Sequence, residues 1–213
     1  MCFSATASFV TGSALSASGL VTIHKTKKKR EMPLASIPLI FGAQQIIEGF
    51  VWLSFGTGWF NIIATYAYSF FSHVFWPVFL PFAVYCLEKD SKKKKFLLWF
   101  IFLGSAVSLF ILYFILTEGI TSQIVNRCIA YNSPHPYQNF ILTLYVIATC
   151  GSCLISSHKI VNIFGLVMLT SLFATVWFFR ENLVSVWCFF AAILSWLIYL
   201  QIARKKTGRR TTR

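Results

Sequence analysis

The sequence predicts an all-α membrane protein of seven transmembrane helices, with its N-terminus outside and its C-terminus in the cytoplasm. Three observations carry that expectation. The 213-residue chain is 57% apolar and only 12% charged, where a soluble domain carries about a quarter charged residues. Apolar runs long enough to cross a hydrocarbon core of about 30 Å recur along its whole length. Its Lys and Arg collect in short blocks between those runs.

The net charge of +13 does not point to nucleic acid, because the basic residues sit beside apolar runs and not on one binding face. Blocks at residues 25–30, 89–95 and 204–213 read as anchors for anionic headgroups on the cytoplasmic side. The six cysteines show no disulfide-framework spacing. Residues 1–24 lack the basic segment of a secretory signal and read as a retained first span. One transmembrane domain is expected over residues 1–203, followed by a basic cytoplasmic tail at 204–213. Oligomeric state is not legible.

The first span is expected over residues 3–24. Thirteen of the sixteen residues 4–19 are Ser, Ala, Thr or Gly. Ser4, Ser8, Gly12 and Ser16 recur at four-residue spacing, which lets two helix backbones approach closely. Such a helix is expected to be central in the bundle. The second span is expected over residues 33–55, with Pro33 at a helix start, where its missing N–H is no loss. The third, residues 61–88, carries Pro77 and Pro81. Prolines inside a span free carbonyls that neighbouring polar groups must satisfy.

The fourth span, residues 96–117, is almost wholly apolar and reads as a lipid-facing scaffold. A long loop over 118–139 follows, with Cys128 and a rigid Pro134-His135-Pro136; His135 is a candidate lid residue. The remaining spans are expected over 140–156, 160–179 and 182–203. The loops after spans one, three and five, with the tail, then hold 17 Lys and Arg, and the other three loops hold 2. The positive-inside rule sets the orientation from that asymmetry.

One stretch departs from the apolar pattern. Gln44, Gln45 and Glu48 lie inside the second span, and a carboxylate at membrane depth costs a few kcal/mol or more unless it is paired. Glu48 is the only acidic residue expected inside a span. By helical rise it lies roughly 10 Å below the outer surface. Gln44 stacks under it one turn away, and Trp52 continues the face outward. In the third span His73 is the deep histidine, with Ser69 one turn before it, Tyr66 above and Trp76 after it.

Cys2, Glu48 and His73 are competent zinc ligands, and three protein ligands plus a water is the arrangement of a catalytic zinc site. In that reading Glu48 and His73 are the catalytic residues, and Gln44, Gln45, Trp52, Tyr66, Ser69 and Trp76 support them or touch substrate. Simpler readings stand beside it. Glu48 and His73 can be a structural pair, Cys2 can be an incidental thiol or the disulfide partner of Cys128, and Cys150-Gly-Ser-Cys153 can be packing. The absence of Lys from the seventh span argues against a retinal Schiff base, and the single deep histidine argues against a haem bundle. The Ser69-xxx-His73 spacing resembles one motif of seven-span hydrolases of the ceramidase and adiponectin-receptor type. Those also carry HxxxH in the last span, and this chain has no His there.

Met1-Cys-Phe-Ser-Ala-Thr-Ala-Ser-Phe9, then Ile37-Pro-Leu, Gln44-Gln45-x-x-Glu48-Gly49 and Trp52, then His73-Val-Phe-Trp-Pro77, together resemble an uncharacterised family of bacterial multi-pass integral membrane proteins. The resemblance covers mainly the first three spans. It implies a bacterial inner-membrane protein, draws attention to Cys2, Glu48 and His73, and brings no activity. Three functions are therefore expected in competition: a metal-dependent intramembrane hydrolase open to the exterior, a permease, channel or sensor using Glu48 and His73, and a structural membrane subunit.

Overall fold

A computed structural model describes residues 4–133 and 135–198. It contains seven helices long and apolar enough to cross a membrane: Ala5–Lys25, Lys29–Ser54, Trp59–Leu87, Ser91–Thr117, Gln138–Ile155, Lys159–Phe178 and Arg180–Ile198. Spans one to seven below are these segments. The tail at 204–213 and Cys2 lie outside the described residues.

Span one starts where Ser4 caps it, its Oγ accepting from the Ala7 N–H at 3.2 Å. It packs along span two through the small residues that the sequence singles out. A methyl group added at Gly12 would stand 2.9 Å from the Gly42 carbonyl oxygen and 2.8 Å from Ile46 Cγ1, so both backbones depend on the missing side chain. The expectation that this helix is central is not met. Only 28% of its apolar window is buried, the same share as span four and far below the 61% of span two. One narrow face, Ser8, Gly12, Leu15, Gly19 and Thr22, does the packing. Small residues report a close neighbour on one side and say nothing about how many neighbours there are.

Span two is the buried axis. It touches spans one and three, and span seven returns to it from the far end of the chain. Span three is helical at Trp59–Ser69 and Trp76–Leu87, with a π-helical turn at Phe70–Phe75 between them. Pro77 has no N–H to offer the carbonyl one turn earlier, and the chain widens just before it. Neighbouring spans take up the exposed carbonyls, as expected for prolines in a span. Ser108 Oγ of span four donates to the Val74 carbonyl at 2.7 Å, and the Tyr145 hydroxyl of span five donates to the Ser72 carbonyl at 2.8 Å. Gly104 of span four lies directly against the Pro77 carbonyl, which Pro81 leaves without its helical donor.

Span five carries a second π-helical turn at Ile147–Gly151. Cys150 and Cys153 at its end are free and buried, and Cys153 packs against Gly165 of span six. That is the packing role the spacing allowed.

The loop at 118–139 departs from an all-α chain. Thr121–Val125 (β1) and Cys128–Asn132 (β2) pair antiparallel, turning on Asn126 and Arg127 with φ of 52° and 61°. Two successive residues at positive φ make the primed turn whose twist suits a hairpin. Cys128, Ile129, Ala130 and Tyr131 are buried, and β2 packs against span seven. The loop is therefore a folded cap on this end of the bundle.

At the opposite end Glu88 is 3% exposed. Its Oε1 accepts from the N–H groups of Lys89 (2.8 Å) and Asp90 (3.1 Å), and its Oε2 accepts from the Ser157 N–H at 2.8 Å. Burial alone would push this carboxyl up, but those backbone donors outweigh it and hold the pKa down at about 2. The residue pins the end of span three to the turn between spans five and six.

Candidate functional site

Glu48 is 1% exposed and is held by neutral groups. Gln45 Nε2 donates to Oε2 at 3.1 Å, and Ser185 Oγ donates to Oε1 at 2.5 Å. Ser185 belongs to span seven, so the partner across the bundle comes from the last span and not from His73 in the third. Tyr68 and Cys188 complete the neighbourhood. No cationic side chain is hydrogen-bonded or ion-paired to this carboxylate among the described residues.

The amides behave differently from one another. Gln44 Oε1 accepts from the Trp76 indole N–H at 2.6 Å, and the Trp76 ring stacks on Phe41 with centroids 3.9 Å apart. That bond fixes Gln44 and ties span two to span three. The Gln44 Nε2, Gln45 Oε1, Trp52 Nε1, Tyr68 hydroxyl and Ser69 Oγ are buried without a protein partner. Each such atom in an apolar surround costs about 1–3 kcal/mol, so several in one region mark a site kept polar against a stability gradient. Tyr66 is elsewhere: its hydroxyl donates to the Ile115 carbonyl of span four at 3.4 Å.

His73 lies in the π-helical turn, its Nδ1 2.8 Å from Ser72 Oγ. It lines a cavity of about 620 Å³ that the sequence does not announce. Tyr145, Trp187 and Cys188 form the deep walls with His73, and Ile141, Leu142 and Val184 add apolar surface. Gln138, Asn139, Arg180 and Glu181 line it at exposed positions. His135 lines it too, edge-on to Phe110 with centroids 6.3 Å apart. The expected lid residue is therefore part of the pocket rim.

Pocket and carboxylate share a wall. Tyr131 and Cys188 line the cavity. The Tyr131 ring stacks on Tyr68 at 4.5 Å, 12° from parallel, and Tyr68 and Cys188 both lie within electrostatic reach of Glu48. Glu48 is thus one aromatic layer behind the pocket that His73 faces. The two residues are joined through this wall; the hydrogen bonds of Glu48 come from Gln45 and Ser185, and that of His73 is with Ser72.

The zinc reading has a narrower base. Among the described residues no three or more His, Cys, Asp or Glu side chains are grouped so as to hold a metal, and Cys2 is not described. Cys128 is disulfide-bonded.

Sequence reasoning missed Ser185, Tyr145, Trp187 and Cys188. The Ser185-x-x-Cys188 spacing puts two polar side chains on one face of an apolar helix, and that was the available signal.

Residues 1–213 match the family described as "Family of unknown function (DUF6629)". No curated protein matches, and no solved structure matches.

Proposed function

The chain belongs to this family of unknown function, and on that premise we propose that it is a small-molecule-binding membrane protein of the permease or sensor class. Its pocket opens to the exterior, and Glu48 is the proton- or ion-responsive group behind it. The cavity of about 620 Å³ with His73 and Ser72 at its deep end carries this reading. Its volume lies in the range of ligand sites, and its lining brings apolar side chains and convergent polar ones together. Glu48 supports it because a carboxylate at membrane depth, held only by neutral donors, can take up a proton or a cation.

In this reading His73 and Ser72 contact the ligand, while Gln44, Gln45, Ser69 and Trp76 keep the Glu48 surround polar and fixed. Trp52 packs at the outer end of span two. The metal-dependent hydrolase is the less supported alternative, because only Glu48 and His73 of its ligand set are described and they have different partners. The orientation rests on the Lys and Arg asymmetry and on Cys128, since a disulfide in the loop at 118–139 fits an oxidising exterior. A plasma membrane with anionic cytoplasmic headgroups fits the basic blocks.

Small molecules released from gently purified protein and identified by mass spectrometry test the reading, with Val184→Trp as the pocket-filling control. One compound near stoichiometry in the wild type, lost in Val184→Trp, is expected. A compound retained by the variant, or none in the wild type, contradicts it.

A further inference from the structure

We infer that the pocket receives an organic acid, a molecule with one anionic group and an apolar body, its anion set against Arg180 at the mouth. This rests on the ligand-binding reading above and adds the chemical class.

Arg180 and Glu181 are the charged residues of the lining. They are not equivalent. Glu181 Oε2 is approached by Asn126 Nδ2 of the hairpin turn at 3.5 Å. The Arg180 side chain has no hydrogen bond or ion pair to any described residue. The guanidinium presents planar paired donors that match a carboxylate.

Beside its polar groups the lining holds an apolar stretch of Leu142, Val184 and Trp187, which suits a hydrocarbon or aryl body on the guest. A cation would meet Arg180 unfavourably, and a neutral apolar molecule would leave its guanidinium unused.

The acid could come from either side. Val176 lines the pocket and is 39% exposed on span six, which gives a lipid-side edge. Gln138 and Asn139 are exposed toward the loops and give an aqueous one.

The test uses the full chain in neutral-lipid nanodiscs with a diazirine-bearing hexadecanoic acid and its primary amide as photoprobes, with labelled peptides mapped by mass spectrometry. The acid is expected to label the pocket segments about tenfold more than the amide, the size of one charge-assisted contact. Arg180→Gln should abolish that preference, and Arg180→Lys should keep most of it. Competition by hexadecanoate alone assigns the bilayer as source, and competition by 4-phenylbutyrate assigns solution; both support the class. Equal labelling by acid and amide overturns the inference without needing any variant to fold. So does a preference that survives Arg180→Gln, or a probe that neither competitor displaces. The pocket itself is judged separately, by thiol access at Val184→Cys: a labelled cysteine with no acid preference leaves the pocket standing and removes the acid.

Discussion

Ser185 Oγ donates to Glu48 Oε1 at 2.5 Å, joining the last span to the second across most of the chain. This bond closes the bundle around a carboxylate that has no cationic partner among the described residues. Ser185→Ala is expected to cost about 1 kcal/mol, the scale of an interhelical hydrogen bond in a membrane protein. Glu48→Gln keeps the size and one of the two acceptor oxygens and should cost no more than that, while removing any proton or ion response. Denaturation with sodium dodecyl sulfate and a ligand-uptake or growth assay separate the two effects. If the Gln variant is as unstable as Ser185→Ala and otherwise normal, Glu48 is only a helix tie.

The π-helical turn at Phe70–Phe75 depends on donors from other spans. Tyr145→Phe and Ser108→Ala each remove one hydrogen bond, to the carbonyls of Ser72 and Val74. Each should cost about 0.5–1.5 kcal/mol in the same denaturation assay. Tyr145→Phe should also loosen the deep wall of the pocket and weaken ligand retention, whereas Ser108→Ala should not.

The sequence made the seven spans legible because a hydrocarbon core leaves a long, unbroken signal. It also exposed Glu48, whose cost in that medium needs no structure to recognise, and the close packing of Gly12 and Ser8 against span two. It concealed the pocket for a physical reason. Tyr145, Trp187 and Cys188 are ordinary residues in apolar helices, and only the widened turn before Pro77 and the hairpin cap bring them round His73. The hairpin itself was hidden because its turn uses Asn126-Arg127 where Asn-Gly is the recognisable pair. Ser185 showed only as the Ser185-x-x-Cys188 pair on one face of an apolar helix. The misreading of span one as central came from treating a close contact as a count of neighbours.

Gly104 is expected to tolerate no side chain. A methyl there would stand on the Pro77 carbonyl, and backbone cannot rotate aside as a side chain can. Overpacking of this kind costs about 1–3 kcal/mol or more, so Gly104→Ala should lower the folded yield on size-exclusion chromatography well below that of Tyr145→Phe. A variant of wild-type yield would mean that spans three and four are farther apart than described.

Glu88 gives a pH dependence outside the membrane spans. Its folded pKa of about 2 lies below the ordinary value of 4.5, so its stabilisation is fully present above pH 4.5 and is lost as the pH falls toward 2. Glu88→Gln should cost about 1.5–3 kcal/mol at neutral pH, the range for hydrogen bonds to a charged group. It should also flatten the acid limb of the stability curve. An unchanged acid limb would show that other carboxylates govern it.

Thiol access at Val184 tests the central claim most directly. Val184 is half-buried on the pocket wall, so Val184→Cys, in a Cys188→Ala background, places one reporter in the cavity. A membrane-impermeant thiol reagent added to right-side-out vesicles should label it without permeabilisation, and a pocket ligand should slow that labelling. Labelling that requires permeabilisation would reverse the orientation, and no labelling of the folded protein from either side would contradict a pocket open to water.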